Sequence, residues 1–497
     1  MFKPSSIKRV RKISDQQTHD QPKNLKTENQ ILVVDLDGTL IRSDMLLETF
    51  WSSFSIDWRA PFLAIWSLAN GRAALKKRLA ELSCIDVKLL PYNKEVLSYI
   101  ECWRSRGGKT ALVTASDQVL ADQIANYLDV FNEAHGSNGT INLKGSEKAK
   151  FLAERFQDAD LAYIGDSMAD VSIWKRTSKS ITVNAGPKLR KKVEALGTNF
   201  EHLTTQAPSI RTYFAALRPH QWLKNVLVFL PMLAAHAFTG TTIAESSLAF
   251  VSFCLVASSV YVLNDLLDLT PDRLHTRKCD RPFASGSVPI SHGTLMVPLL
   301  FFLGLIIALF LEQSFLLAMI GYFVITTAYS LYLKRHSIID ICALASLYAL
   351  RILAGGLATG ISISVWLLAF SIFFFFALAA IKRQAELVDA AASNAGGSVG
   401  RGYTVEDLPL VTNIATASGF VSVLVFALYV NSPDVLIVYS NPYALWGICL
   451  VLLYWICRML MVTHRGNMHD DPIVYAAKDP VSWSCFFLVL TFAIVGI

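Results

Sequence analysis

The sequence predicts an α/β domain followed by an all-α membrane domain, and three observations support this fold class. The chain has 497 residues, 53% of them hydrophobic, and the long apolar stretches all lie in its second part. Early in the chain, ILVVDLDGTL is an apolar, β-branched run that ends in acids, as a buried strand does where it meets a turn. From about residue 223 onward, nine apolar stretches are long enough, or nearly so, to cross a bilayer core of about 30 Å.

The domain boundaries follow from changes in composition. Residues 1–29 are basic and polar without an apolar core, so we expect a disordered tail and no secretory signal. We expect the α/β domain over 30–190, a linker over 191–217 and the membrane domain over 218–497. An insert at about 44–95 has helical character. The net charge of +6 gives no indication of nucleic-acid binding, and eight cysteines without a metal-ligand spacing predict free thiols.

Acids and hydroxyl groups follow the predicted strands of the α/β domain. Asp35 and Asp37 end the first strand, and their alternation places both carboxylates on one side. Three further segments come in order: TALVTASD is a strand that ends in hydroxyls, GSEKAKFL opens a helix with a lysine, and LAYIGDSMAD is a strand followed by two acids. The three segments strengthen the case that the two carboxylates converge on one substrate.

With these four motifs the segment of about 30–190 resembles the haloacid dehalogenase (HAD) superfamily of aspartate-nucleophile phosphohydrolases. The resemblance implies a Rossmann-like domain in which Asp35 attacks phosphorus and Asp37 acts as general acid and base. Thr114, with Ser116 as the alternative, and Lys148 would hold the phosphoryl oxygens. Mg²⁺ would be bound by Asp35, Asp166 and Asp170. The alternative is an inactive domain retained as a scaffold.

The resemblance also implies that the insert at about 44–95 is a helical cap. Aromatic residues are dense in this cap, at Trp51, Phe54, Trp58, Phe62 and Trp66. Two interpretations are open. The rings either pack on one another as the core of the cap, or form an interfacial surface with which the cap reaches a lipid-borne phosphate.

The nine apolar stretches are expected to form nine transmembrane helices. They lie near 223–238, 246–267, 292–311, 314–333, 339–359, 362–381, 408–430, 439–461 and 481–497. Lys and Arg fall in alternate connections, and the connections between them carry none. This positive-inside pattern predicts an integral protein of a bacterial inner membrane, with the α/β domain in the cytoplasm and the C-terminus outside.

Several carboxylates lie at one end of the second apolar stretch, in YVLNDLLDLTPDRLHTRKCDRP. On a helix Asn264, Asp265, Asp268 and Asp272 would face one cavity, and we expect Pro271 to break the helix before Asp272. Acids at membrane depth are costly, so they indicate a functional site. Basic residues in the same loop suggest that Mg²⁺ joins these carboxylates to a diphosphate.

This loop resembles the N-D-x-x-D-x-x-x-D signature of the UbiA superfamily of intramembrane prenyltransferases, whose fold has nine helices. Many members carry a second D-x-x-x-D motif, whereas here Asp340 is followed four residues later by Leu344. That departure, together with RPHQWLKNVLVFLP, LRILAGG, the Lys382-Arg383 pair and RGYT, resembles the decaprenyl-phosphate phosphoribosyltransferase branch.

The branch resemblance implies phosphoribosyl diphosphate as donor and a polyprenyl phosphate as acceptor. Asn264, Asp265, Asp268 and Asp272 would hold Mg²⁺ and the diphosphate, with Asp265 and Asp268 central to catalysis. Arg351 lies deep in its stretch; it would pair with Asp340, hold the lipid phosphate or form a structural ion pair. Further candidates for phosphate contacts are Lys224, Arg273, Arg281, Tyr329, Lys334, Lys382, Arg383 and Arg401.

The leading hypothesis is a bifunctional enzyme that makes polyprenyl-phosphoryl-ribose for cell-envelope glycans. The membrane domain would transfer phosphoribose to the lipid, and the HAD-like domain would remove the 5-phosphate. Two alternatives stay open: a prenyltransferase with a prenyl diphosphate donor, and a transporter or lipid-binding protein with a regulatory soluble domain. The sequence gives no oligomeric state.

Overall fold

The computed structural model describes most of the chain. The described residues are 30–138, 141–157, 159–197, 199–205, 208–392, 402–433, 435, 439–468 and 471–497. The predicted tail at 1–29 and the candidate Arg401 lie outside them.

A parallel sheet of six strands in the order β3-β2-β1-β4-β5-β6 forms the first domain. Val34 at the end of β1 pairs with Leu112 on one side and Ile164 on the other. Because the strands are parallel, the residues that follow β1, β2 and β4 meet at the same edge of the sheet. The strands are β1 (Gln30–Val34), β2 (Lys109–Asp117), β3 (Glu133–Ser137), β4 (Asp160–Gly165), β5 (Lys179–Val183) and β6 (Asn199–Leu203).

The insert after β1 is helical, as predicted. It consists of α1 (Met45–Ile56), α2 (Ala60–Leu68), α3 (Arg72–Leu82) and a 3₁₀ turn at Val87–Leu89. Asp44 caps α1, because its side chain accepts hydrogen bonds from the backbone N–H groups of Leu46 and Leu47. The cap therefore starts directly behind the acids of β1.

The remaining helices of this domain complete the predicted α/β architecture. They are α4 (Lys94–Ser105), α5 (Gln118–Leu128), α6 (Ser146–Arg155), α7 (Val171–Trp174) and α8 (Pro187–Glu194). The expected end of the domain at residue 190 is wrong, because α8 continues past it and β6 pairs with β5. The connection to the membrane domain is thus shorter than the predicted linker, and it contains α9 (Ile210–Ala216).

The second domain is helical throughout the described residues, but the prediction of nine uninterrupted spans is not confirmed. Among the residues that the structure describes, seven helices are long and apolar enough to cross a membrane, or eight if the last two, bent by 88°, count as one span. The helices are α10 (Leu230–Ala234), α11 (Gly240–Leu267), α12 (Leu269–Leu274), α13 (Ile290–Ala308), α14 (Gln313–Leu331), α15 (Ile339–Thr359), α16 (Val365–Ala392), α17 (Leu408–Val430), α18 (Trp446–His464), α19 (Pro472–Lys478) and α20 (Pro480–Gly496).

Two predicted spans are not found as single helices within the described residues. The last, 481–497, counts only if α20 is joined with α19, and the first, 223–238, is not formed. Its chain forms a 3₁₀ helix over Pro219–Phe229, and only the five-residue α10 follows. Pro231 stands in the first turn of α10, where no backbone N–H donor is needed. Because proline lacks this donor, it cannot continue a helix that comes before it. The segment packs along α11 and α15.

Helices α11 and α15 lie at the centre of the membrane domain. In the most apolar stretch of each helix, 67% of α11 and 61% of α15 are buried. In the other five spans only 22% to 39% of that stretch is buried. The outer helices therefore offer apolar side chains to lipid. The central pair carries the acidic loop and Asp340, so the predicted site lies in the interior of the bundle.

The two domains are joined by the cap. The carboxylate of Glu48 on α1 accepts two hydrogen bonds from the guanidinium of Arg273 on α12, at 2.6 and 3.1 Å, and both side chains are buried. Trp51 donates from its indole N–H to the hydroxyl of Thr294 on α13 at 3.0 Å. Leu263 and Leu266 of α11 belong to the same apolar cluster as Trp51.

The aromatic residues of the cap therefore do not form its own core. Trp51 is buried against the membrane domain and Phe54 packs on the same cluster. Trp58, Phe62 and Trp66 are instead 59%, 66% and 81% exposed.

A loop of the membrane domain closely approaches the first domain. Gly286 has φ of 70°, and a Cβ there would lie 2.9 Å from Cβ of Pro91 and 3.0 Å from Cβ of Arg42. A side chain at this position would both strain the backbone and separate the domains.

We predict that Glu48→Ala destabilises the full chain by about 3 kcal/mol, because it leaves the buried charge of Arg273 unpaired. The measurement is the melting temperature of the purified protein in detergent. Glu81→Ala is the matched control, since Glu81 lies on α3 in an exposed pair with Arg78. Equal melting temperatures for the two variants would contradict the importance of the pair.

Candidate functional site

Three carboxylates converge at the edge of the sheet. Asp35 follows β1, Asp166 follows β4, and Asp170 lies in the next turn; one oxygen from each lies within 4.8 Å of the others. Gly38 makes this possible, since a Cβ at its φ of 70° would collide with the carboxylate of Asp166. Within the described residues no other group of three acids, cysteines or histidines converges as closely.

The electrostatics of this cluster favour a bound cation. Burial, reinforced by Asp35, Asp170 and Asp37, raises the pKa of Asp166 to about 8, and burial also raises the pKa of Asp35. Carboxylates that repel one another in this way fit a divalent ion with hard oxygen ligands. Asp35, Asp166 and Asp170 are therefore suited to hold Mg²⁺, which would neutralise the charge of a bound phosphoryl group.

A buried chain of hydrogen bonds supports the cluster from behind. Lys148 on α6 donates to Asp35 at 2.8 Å and to the hydroxyl of Tyr163 at 3.1 Å. Tyr163 in turn donates to Asp170 at 3.0 Å. Tyr163 lies inside the apolar run LAYIG, where the sequence pattern indicates only a buried strand residue, so its polar role was not predicted.

Asp37 lies beside this cluster in a position suited to proton transfer. It accepts hydrogen bonds from the backbone N–H of Met45 at 2.8 Å and from the hydroxyl of Ser116 at 3.0 Å. Burial, with Asp44 and Asp35 as further causes, raises the pKa of Asp37 to about 7. Such a carboxyl group can hold a proton near neutral pH.

The two hydroxyl candidates occupy different positions. Thr114 is fully buried and accepts a hydrogen bond from the backbone N–H of Ser116 at 3.0 Å. Ser116 is the one whose hydroxyl reaches Asp37.

These acids line a cavity of about 850 Å³. Its other walls come from the cap, with Lys76 among them, and from Gly286 to His292 of the membrane domain. Lys76 was not singled out in the sequence, because it reads there as one of several charges on an amphipathic cap helix.

A second acidic site lies at the end of α11. The carboxylates are held by basic side chains: Asp265 pairs with Arg218 and Arg281, and Arg281 also donates to Asp272 at 2.6 Å. Lys334 donates to Asp268 at 3.0 Å, and Asn264 donates to Asp268 at 2.9 Å. The structure thus brings together the four residues that the spacing predicts, and adds Arg218.

The helix breaks before Asp272, as expected. α11 ends at Leu267, Asp268 caps it, and α12 begins at Leu269. Pro271 lacks the N–H that would bond the carbonyl of Leu267, so α11 ends there and Pro271 lies in the first turn of α12.

This site is suited to a metal ion together with an anion. The second carboxylate oxygen of Asp265 is buried and makes no hydrogen bond. An unsatisfied buried carboxylate oxygen next to Asp268 and Asp272 fits a cation ligand, and Arg218, Arg281 and Lys334 fit phosphate oxygens.

The other predicted residues form two separate clusters. In one, Arg383 bonds both oxygens of Asp340 and donates to Tyr329 and to Glu386. In the other, Lys224 and Lys382 both pair with Asp471, at 2.8 and 3.2 Å. Asp471 was not predicted, because a lone acid in a connection carries no local signal.

The structure corrects two of the expected roles. Arg273 does not line the acidic site, because its guanidinium is bound to Glu48 and to the carbonyl of Ala284. Arg351 does not pair with Asp340; it donates to Asn225 at 2.9 Å and to Tyr322 at 3.0 Å. The aromatic rings around Arg351 make it a buried cation held mainly by neutral groups.

Residues 226–491, more than half of the chain, match the UbiA prenyltransferase family. The chain belongs to this family. Residues 32–175 match the haloacid dehalogenase-like hydrolases, so a HAD-like hydrolase domain precedes the UbiA domain.

Three relatives are similar to this chain over different shares of its length. "Uncharacterized protein y4nM" of Sinorhizobium fredii is 36% identical over 455 residues, 91% of this chain and 88% of its own length. "Nodulation protein NoeC" of Azorhizobium caulinodans is 36% identical over 55% of this chain and 89% of its own. The "Decaprenyl-phosphate phosphoribosyltransferase" of Mycolicibacterium smegmatis is 35% identical over 54% of this chain and 86% of its own.

We predict that Tyr163→Phe raises the Mg²⁺ concentration needed for half-maximal hydrolysis of p-nitrophenyl phosphate by about tenfold, as removal of a second-layer hydrogen bond to a metal ligand does. Tyr92→Phe is the control, since Tyr92 bonds only the carbonyl of Val87 in the described structure. An unchanged Mg²⁺ dependence in Tyr163→Phe would show that the chain from Lys148 to Asp170 does not support the metal.

Proposed function

We propose that this protein transfers phosphoribose from phosphoribosyl diphosphate to a polyprenyl phosphate and then removes the 5-phosphate, which gives polyprenyl-phosphoryl-ribose. The observation that carries the proposal is that one loop of the membrane domain serves both sites. Its first part, with Asp272 and Arg281, belongs to the acidic site, and its end, from Gly286 to His292, lines the HAD-like cavity.

The choice of donor rests on chemistry and on the relatives. Many family members carry a second acidic motif at the position of Asp340. Here the charge of Asp340 is neutralised by Arg383, and position 344 is a leucine. The described part of the membrane domain therefore offers one acidic site for one diphosphate. The mycobacterial relative is a decaprenyl-phosphate phosphoribosyltransferase by name, and its match covers 278 residues, 54% of this chain.

In the transfer step the acceptor phosphate oxygen forms a bond to C1 of the ribose while the bond from C1 to the diphosphate oxygen breaks. Asp265, Asp268 and Asp272 would hold Mg²⁺, which supplies positive charge to the leaving diphosphate. Arg218, Arg281 and Lys334 are placed to exchange their carboxylate partners for the diphosphate oxygens. No protein nucleophile is needed.

In the second step Asp35 attacks the phosphorus of the 5-phosphate, and the bond between phosphorus and the ribose oxygen breaks. Asp37 gives its proton to that oxygen. Water, deprotonated by Asp37, then attacks the aspartyl-phosphate, which releases inorganic phosphate and restores Asp35. Lys148 holds the carboxylate of Asp35 in place throughout.

We place the HAD-like domain and the acidic loop on the cytoplasmic side, since Lys and Arg are concentrated in the connections on that side. Lys224 and Lys382, which share one carboxylate, are our candidates for the phosphate of the lipid acceptor.

We predict that Asp35→Asn stops the reaction at the phosphorylated lipid. The experiment incubates the purified chain with Mg²⁺, decaprenyl phosphate and labelled phosphoribosyl diphosphate, and the lipid products are weighed by mass spectrometry. Wild type should give lipid-linked ribose, and Asp35→Asn lipid-linked ribose 5-phosphate. If both proteins stop at the phosphorylated lipid, the HAD-like domain acts elsewhere; if neither labels the lipid, prenyl diphosphate donors or transport become the favoured functions.

We predict that Asp272→Asn lowers the transfer rate at least a hundredfold, because it removes a charged ligand of the metal and diphosphate. Asp280→Asn is the matched control, since Asp280 lies in the same loop but is exposed. The rate of label incorporation into lipid is measured for both. Equal rates would remove the acidic loop from the mechanism.

A further inference from the structure

One helix of the cap offers large apolar side chains to solvent. α2, with the sequence APFLAIWSL, contains no charged residue. The helix packs on α1 and α3, and its buried residues are the small Ala60 and Ala64. The side chains of Phe62, Ile65 and Trp66 are 66%, 69% and 81% exposed. Packing inside the cap thus uses the small residues and leaves the large ones outside.

These exposed side chains form one surface together with Trp58. The ring of Trp58, just before α2, lies 6.4 Å from that of Phe62, edge to face. Ile65 and Trp66 follow Phe62 by three and four residues, so they continue the same side of the helix. We call Trp58, Phe62, Ile65 and Trp66 the α2 surface. A continuous group of exposed apolar side chains on a folded domain indicates a binding surface.

The position of the α2 surface follows from the way α1 lies on the membrane domain. Glu48, Trp51 and Ser55 occupy one face of α1, at spacings of three and four residues. Glu48 bonds a residue of α12, and Trp51 bonds one of α13. The carbonyl of Ser55 accepts a hydrogen bond at 3.2 Å from Arg335, in the turn between α14 and α15. Lys334 of the same turn bonds the acidic site, so α1 crosses the end of the bundle that carries this site.

α1 ends at the outer side of the bundle. Its last residue, Ile56, follows the contact with the turn behind α14. α14 is an outer helix, since only 28% of its most apolar stretch is buried, and Leu317 and Val324 are exposed. α2 begins at Ala60, four residues after α1, which the chain spans in at most about 14 Å. The α2 surface is therefore within reach of the bilayer around the bundle, at the level of the helix ends, where lipid headgroups lie.

Basic side chains flank the α2 surface. The guanidinium of Arg59, directly before α2, lies 5.6 Å from the ring of Trp58. Arg72 and Lys77 are exposed on α3, which packs on α2. From residue 57 to residue 78 the sequence has five basic residues and one acid. Aromatic and apolar side chains flanked by Lys and Arg are typical of a helix that lies in the interface of anionic lipid.

A second copy of the chain fits this surface less well than lipid does. Most symmetric dimers place the same patch of both copies face to face. Such a contact through the α2 surface would bring Arg59, Arg72 and Lys77 of one copy close to the same residues of the other. Like charges at an interface oppose association, whereas an anionic bilayer attracts them.

We propose that the α2 surface inserts into the headgroup region of the bilayer beside the membrane domain and holds the cap against anionic lipid. Trp51 and the α2 surface attach the same cap to two neighbouring partners, the membrane domain and the lipid around it. Leu68, the last residue of α2, lines the HAD-like cavity, so insertion brings one wall of this cavity to the lipid headgroups. The insertion requires no particular substrate at either acidic site.

The test places the photoreactive residue p-benzoyl-phenylalanine at position 62 or 66 of the full chain, reconstituted in vesicles of phosphatidylglycerol and phosphatidylcholine. Irradiation should couple these positions to lipid, which intact-mass spectrometry detects as the added mass of one phospholipid. Position 200 is the control, because Phe200 is 45% exposed near the start of β6, at the edge of the sheet opposite to the acids. We expect at least tenfold more lipid adduct at positions 62 and 66 than at position 200.

A charge within the α2 surface provides a second measurement. Ile65→Glu alters an exposed side chain, so the fold of the cap is retained, but its carboxylate opposes insertion into anionic lipid. This variant should reduce the lipid adduct at position 66 at least tenfold, and Phe200→Glu should leave it unchanged. Equal lipid adducts at positions 62, 66 and 200, coupling to a second copy of the chain instead of lipid, or an adduct that Ile65→Glu does not reduce would overturn the proposal.

Discussion

The arrangement of the two domains depends on the buried ion pair between Glu48 and Arg273. Burial of either charge alone would cost several kcal/mol of lost hydration. The two side chains are therefore buried only where the cap and α12 bring them together. The close approach of Gly286 to Pro91 and Arg42 fixes the same loop at a second point. Between these two points the chain turns from the acidic site to the wall of the HAD-like cavity, which makes the positions of the two sites interdependent.

Charge compensation is the rule in the interior of the membrane domain. Asp265 and Asp272 are held by arginines, Asp340 by Arg383, and Asp471 by two lysines. Because isolated charges at this depth are unfavourable, a charged substrate can enter only by exchanging partners with groups already present. The site is thus stable without substrate, and its basic residues are already positioned for phosphate oxygens.

The features that the sequence predicts are those with a local pattern. The strand before Asp35, the acids after two parallel strands and the spacing from Asn264 to Asp272 all repeat at strand or helix periods, and the structure has them together. Hydropathy does not distinguish a continuous helix from a 3₁₀ segment, so the span predicted at 223–238 is not formed. Contacts between distant residues leave no such pattern. Glu48 and Arg273 are 225 positions apart, and the roles of Lys76, Tyr163 and Asp471 follow only from the fold.

The burial of Trp51 against α11 and α13 has a consequence for how this protein can be handled. A chain cut between the domains would expose Trp51, Leu47 and Phe50 on one piece and Leu263, Leu266 and Phe283 on the other. Apolar faces that cleavage exposes to solvent associate with each other or with unrelated surfaces. A separately expressed HAD-like fragment would therefore be prone to aggregation, and its poor solubility would say nothing about the intrinsic competence of its active site.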